Sequence, residues 1–371
     1  MLEETRFVPY KQTAFAATET GINVTAPWLS LDVDVDDEQK IAVKRLLDRI
    51  ASGVELSSDA EIQNFLAFFA DYPVLHAAPR AFGSGGSIPY SSDAPELMRA
   101  KGPKQFLEAL NPFPDIDIYD AFSYFPDTWE WNVDEIAAES RIAGSGTLFD
   151  PISVYTAIRA RRLQFQIEQS KFAHELLENI EALRERDESR FFHLLAIVLS
   201  QQFYVTRECC SCLDPAIEHL SVISDQIRAY KEEEVHHDRL ILASIRELTD
   251  QPETEFTFTP DTKLGIEVIK YAAKTCALGF SALVSIMEGT AYPASDPVGD
   301  ILVKSSKPSA RIGVEAHFQI NKRGNHTAIP ETFVRQLPPV TENTVAIATR
   351  LAEVAIRLDS GLAQSVLRDH F

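Results

Sequence analysis

The sequence predicts a mainly α-helical bundle with a smaller mixed extension at its N-terminal side. Apolar residues recur at three- and four-residue steps through most of residues 151–371, with Pro and Gly falling between the periodic stretches. Short alternating runs and turn-forming residues concentrate in residues 1–150. Only 15 glycines stand beside 45% apolar residues, a balance that fits a globular, mostly helical chain and not a disordered or fibrous one. At 371 residues two domains are expected: residues 1–150 as an auxiliary domain for recognition or dimerisation, and residues 151–371 as the bundle.

Taken in order, the alternation of Ile22, Val24, Trp28, Leu31, Val33 and Val35 predicts short strands over residues 20–35, with helices following over 37–51 and 58–70. This order, ending near Val74, loosely resembles the winged-helix or peptide-recognition modules of peptide-modifying enzymes. Residues 77–93, rich in Gly, Ser and Pro, read as a surface linker. Their Gly83-Ser84-Gly85-Gly86 lacks the strand before and helix after that a phosphate cradle requires. Trp129, Trp131 and the aromatic residues of 113–125 are expected to pack the extension onto the bundle. Helices are then predicted over 152–186 and 191–209. Asp214 as N-cap and Pro215 in the first turn open the next, which runs to 248. Asp261 opens a helix reaching about residue 290, and two more cover 310–321 and 342–367.

Composition excludes several functional classes. A formal net charge of -20 argues against binding nucleic acid or an anionic membrane, both of which need a basic face. The opening residues lack the basic and apolar regions of a signal peptide, and no apolar stretch is long and uninterrupted enough to span a bilayer, so a cytoplasmic location is expected. Three of the 4 cysteines, Cys209, Cys210 and Cys212, crowd into one stretch, and with Cys276 they read as buried free thiols.

The chemistry is announced within the third helix predicted for the bundle. Its apolar stripe runs Ala216, Leu220, Ile223, Ile227, Tyr230, then Glu234 and His237, then Ile241, Ile245 and Leu248. A carboxylate and an imidazole thus stand where the core should be, and an unpaired buried carboxylate is costly unless a metal or a partner takes it. Glu-x-x-His on one helical face lets both side chains reach a single ion. Glu288 is the single charge on an otherwise apolar helix. His317 and Asn321 share a face, whereas His326 points elsewhere unless the chain bends, for which Gly324-Asn325 is the natural place. On an unbroken helix Glu315 would replace His317 opposite His326. His236 and Glu233 read as solvated residues on the opposite face, with Glu233 a reserve first ligand.

These residues together resemble the haem-oxygenase-like diiron oxidases and oxygenases, over about 200 residues from Arg190 onward. That family builds its site from a Glu and a His on one helix, a bridging Glu on a second, and a His-x-x-x-Asp-x-x-His run on a third. The resemblance implies a haem-oxygenase-like bundle. It also implies two Fe(II) ions, one labile, with Glu234 and His237 on one iron, His317 and His326 on the other, and Glu288 bridging. Asn321 stands where the family has Asp, as a weak ligand or a hydrogen-bonding group, and the last His is displaced by two residues. A further carboxylate expected from the preceding helix has no assigned residue; Glu208, Gln201, Gln202 and His193 are the polar choices there. The implied activity is O2-dependent N-oxygenation, desaturation or C–C cleavage of a small amino-acid- or amine-like substrate, or of a peptide-borne residue, by a homodimer. The competing expectations are a metal-free helical binding or scaffold protein and a cofactorless hydrolase or synthase of the same bundle.

Overall fold

The computed structural model describes residues 99–110, 121, 123–142, 148–289 and 292–371, together with the backbone of five strands between residues 6 and 78. Those strands are β1 (Arg6–Pro9), β2 (Ala14–Ala17), β3 (Gly21–Ala26), β4 (Leu29–Asp34) and β5 (Leu75–Ala78). β2, β3 and β4 form an antiparallel sheet in which Gly21 pairs with Asp34, so the alternation read across residues 20–35 does form strands. The helices expected over 37–51 and 58–70, and most of the expected linker, lie outside the described residues.

Two short helices, α1 (Pro103–Leu110) and α2 (Val133–Ser140), precede the bundle and join its core through Phe106, Leu107 and Ile136. Trp131 is buried, and Trp129 lies under the Arg350 guanidinium at 4.2 Å, so both tryptophans do fasten this segment to the bundle.

The bundle itself begins with α3 (Pro151–Leu183), started by the Asp150 carboxylate accepting from Ser153 N–H, with Pro151 in the first turn. Its companions are α4 (Glu188–His219), α5 (Ser224–Glu234), α6 (His237–Leu248), α7 (Pro260–Thr275), α8 (Ala277–Met287), α9 (Pro297–Leu302), α10 (Arg311–Gly324), α11 (Ile329–Val334) and α12 (Glu342–His370). A two-stranded clasp, β6 (Leu148–Phe149) with β7 (Val340–Thr341), ties the start of α3 to the start of α12. α4 packs on α6 and α7, α12 on α3, α7 and α8, and α6 on α10. The last contact is backbone on backbone: a Cβ at Gly313 would fall 2.0 Å from the Leu240 carbonyl oxygen. Among the described residues no helix is long and apolar enough to cross a membrane.

Three boundaries differ from the sequence expectation. Pro215 does not open a helix; it lies inside α4, where buried Leu213 and Ala216 hold the chain helical through the residue that would otherwise end it. The helix expected to run to 248 is divided, because His236 takes a left-handed conformation with φ 75°. The helix expected from Asp261 is capped instead by Thr259 and is divided at Cys276, whose extended backbone and Sγ, accepting from Gly279 N–H, cap α8.

Candidate metal centre

The division at His236 places the first two polar core residues on separate helices. Glu234 is the last residue of α5 and His237 the first of α6. Both nevertheless keep the inward direction of the stripe, each only 4% exposed, because the turn spans just two residues. His237 Nδ1 lies 3.2 Å from Glu234 Oε2. His236 faces solvent, as the stripe requires.

Glu288 arrives from the other side of the bundle. Every residue of α8 from Leu278 to Ile286 is buried, so its C-terminal cap is carried inward as well, and Glu288 is 9% exposed. Gly289 then ends the helix with φ 75°, a conformation that glycine adopts without steric cost. Tyr230, one turn before Glu234 on α5, donates its hydroxyl hydrogen to Glu288 Oε1.

His326 closes the cluster. Asn325, with φ 53°, terminates α10 where the Gly324-Asn325 pair was expected to break it, and the chain re-enters through a short 3-10 turn that fully buries His326. Gly324 is required here, since a Cβ would come within 2.7 Å of the His326 ring. His326 Nδ1 is 3.0 Å from Glu234 Oε1 and 3.3 Å from Glu288 Oε2, while its Nε2 is 3.1 Å from Glu233 Oε2. Glu233 is therefore more than a solvated residue: half exposed, it reaches in to the far nitrogen of the imidazole. Glu315, the alternative for an unbroken helix, points to Arg311 on the surface.

His317, on α10, stacks edge-on against His237 with ring centroids 5.4 Å apart, and Gln202 on α4 approaches its Nδ1 at 3.4 Å. Gln202 is thus the α4 residue that meets the cluster. Glu208 pairs with Lys270 and Gln201 with the backbone of Thr257 and Thr259, so neither supplies the expected carboxylate. Asn321 lies one turn beyond His317 with its Oδ1 buried and without a partner.

The electrostatics ask for positive charge. Burial opposes ionisation of Glu234, but the close His237 and His326 imidazoles outweigh it and bring its pKa to about 2. Burial likewise opposes charge on His326, yet Glu234 and Glu288 overcome it and raise its pKa to about 10. His317 has no such partner, and burial lowers it to about 4, leaving a neutral imidazole. Burial also holds the thiol of Cys209, beside the cluster, well above its ordinary range.

The donor set passes a direct test of fit to a metal ion. Glu234 Oε1, Glu288 Oε2, His237 Nδ1 and His326 Nδ1 are buried, and none makes an aligned hydrogen bond. One ligand atom each from Glu234, Glu288 and His326 lies within 4.8 Å of the others. Buried polar atoms are nearly always satisfied, and orphans this close together on Glu234, Glu288 and His326 are atoms that a cation could satisfy. Carboxylates mixed with imidazoles suit iron or manganese.

No family model and no curated protein matches the sequence. Among solved structures, the chain is similar to a domain of unknown function with a heme oxygenase-like fold from Shewanella denitrificans OS217, with 16% identity and a TM-score of 0.45 over 58% of this chain and 92% of that one.

Proposed function

We propose that this chain is a non-haem diiron, O2-dependent oxidase or oxygenase of the haem-oxygenase-like kind, acting on a small amino-acid- or amine-like substrate. The observation that carries the reading is the set of orphaned, inward-facing atoms on Glu234, His237, Glu288 and His326. Bound iron would supply the activation of dioxygen that N-oxygenation, desaturation or C–C cleavage requires.

The chain's own residues have definable tasks. Glu233 accepts from His326 Nε2–H and, once an ion displaces the Nδ1 proton, would hold the tautomer whose Nδ1 is free to ligate, the carboxylate–histidine arrangement that orients metal ligands. Tyr230 holds one oxygen of Glu288 and leaves the other free to bind. Burial keeps His317 unprotonated, and Gln202 Nε2, 3.4 Å from its Nδ1, holds the ring in place. Buried apolar residues on the same helix segments, Ile227, Ile241 and Ile286 among them, would help to keep water from the centre.

The test is metal content after anaerobic loading with ferrous iron, followed by absorption spectroscopy on admitting oxygen. About two irons per chain, a visible band on oxygenation, and loss of both in a helical Glu288→Ala protein are expected. Iron no higher than in Glu288→Ala would overturn the reading. It would leave the metal-free alternative, in which a protonated His326 balances the two carboxylates.

A further inference from the structure

The helix that carries His317 also has a face turned away from the metal centre. α10 buries Gly313, Val314 and Phe318 and packs on α6, so its opposite side looks to solvent. The outer side of such a helix is ordinarily polar. Here it presents Ile312 at 64% exposure and Ile320 at 41%. The two lie about two turns apart, roughly 12 Å along the axis. Ala316, partly buried, stands midway between them. One exposed isoleucine is ordinary; two on one stripe, with charges of opposite sign at its ends, form a pattern.

Arg323, seven residues after Ala316, is exposed and has no ion pair among the described residues. Seven residues before Ala316 is Ser309, in the 3-10 turn that leads into α10, and its hydroxyl donates to Glu247 Oε2 at 3.0 Å. Glu247 is an exposed residue of α6, and among the described residues no lysine or arginine side chain pairs with its carboxylate. Outward from Ala316 the stripe thus matches itself in both directions. Four residues away stands an isoleucine, and seven residues away an unpaired charge, positive at one end and, through Ser309, negative at the other.

We propose that this face is the contact between two copies of the chain, with α10 packed antiparallel on α10 of the other copy about a two-fold axis at Ala316. Ile312 of each copy then lies beside Ile320 of the other, and Arg323 of each reaches Glu247 of the other. Every contact is made twice. A two-fold interface must be complementary to itself, and a stripe that is apolar in the middle and oppositely charged at equal distances meets that condition. Parallel packing would instead set Arg323 against Arg323. Alanine at the crossing point lets the two helix backbones approach closely. The contact uses neither the metal centre nor iron. A face one helix wide belongs to the weak, exchanging class of interfaces, with a dissociation constant roughly in the micromolar range.

The experiment is analytical ultracentrifugation of the metal-free chain over a concentration series, with Tm measured on each variant. A reversible monomer–dimer equilibrium is expected for the wild type. Ile312→Lys and Ile320→Lys, at exposed positions, should keep the wild-type Tm and weaken association by about tenfold or more. Arg323→Glu and Glu247→Arg should each weaken it by about tenfold, and the double variant should recover most of that loss. Glu247→Arg is the sharper of the two, because on a chain of net charge -20 an added positive charge would strengthen any unspecific association. Ala316→Cys should give a disulfide-linked dimer on mild oxidation, and the wild type none. A wild type that stays monomeric up to roughly 1 mM would overturn the proposal. So would a dimer indifferent to both lysine substitutions, which would lie on another face, or charge variants whose losses add in the double variant.

Discussion

Two of the places where the bundle buries charge are treated in opposite ways. On α12, Glu353 and Arg357 are both fully buried, and Arg357 Nη2 donates to Glu353 Oε1 at 2.7 Å. Backbone N–H groups of Glu130 and Trp131 donate to Glu353, and Arg357 donates to the carbonyls of Pro126 and Thr128. Only Arg357 Nε goes without a partner in that pair. At the centre, Glu234, Glu288, His237 and His326 crowd together with one ligand-type atom of each unsatisfied. The first cluster is closed by the chain itself and pins residues 126–131 to the last helix. At those four atoms the second is held by the His326 and His237 imidazoles alone, without one aligned hydrogen bond. Saturation, more than burial, separates the two clusters.

Substitutions can break that contrast. The largest expected effect on stability is Glu353→Ala, which strands Arg357 in the core and should cost about 3–5 kcal/mol in chemical denaturation. The folded fraction should still bind iron in the wild-type ratio. Glu288→Ala should do the reverse, losing iron while its far-ultraviolet circular dichroism and denaturation midpoint stay near those of the metal-free wild type. If Glu288→Ala proves as damaging to the metal-free fold as Glu353→Ala, the two clusters are of one kind.

The next effects are graded. Tyr230→Phe removes the donor to Glu288, and Glu233→Gln weakens the hold on the His326 tautomer; each should lower iron affinity by roughly tenfold to hundredfold, read by chelator competition. Smallest of all is His236→Gly. It relieves a left-handed backbone that costs a non-glycine residue about 1–2 kcal/mol, so a modest rise in Tm with unchanged iron content is expected. His237→Ala should instead abolish binding by one of the ions, and the opposite order for the two histidines would invert the face assigned to this segment.

Much of the centre was legible in the chain before any coordinates. The interrupted stripe placed Glu234 and His237 inside because a period of three or four residues survives a short turn, and the Gly324-Asn325 pair told where His326 would swing back. The division at Val235-His236 was not legible, since a histidine in left-handed conformation has no compositional signature and is held there by packing on either side. Tyr230 read as one more apolar member of the stripe, and its role appeared only when Glu288 was seen opposite its hydroxyl. Glu233 read as solvated because half of it is. Asp214-Pro215 looked like a helix start because local preference favours that reading, and burial of Leu213 and Ala216 overrode it.

Gly313 gives the centre an unusual dependence. The helix that carries His317 lies directly on the helix that carries His237, and what sets their separation is a missing methyl group four residues upstream of His317. A single carbon added there would act as a shim, lifting α10 away from α6 and drawing the two imidazoles apart with every candidate ligand still in place. The reach of the site is thus governed from a position that has no side chain and touches no metal.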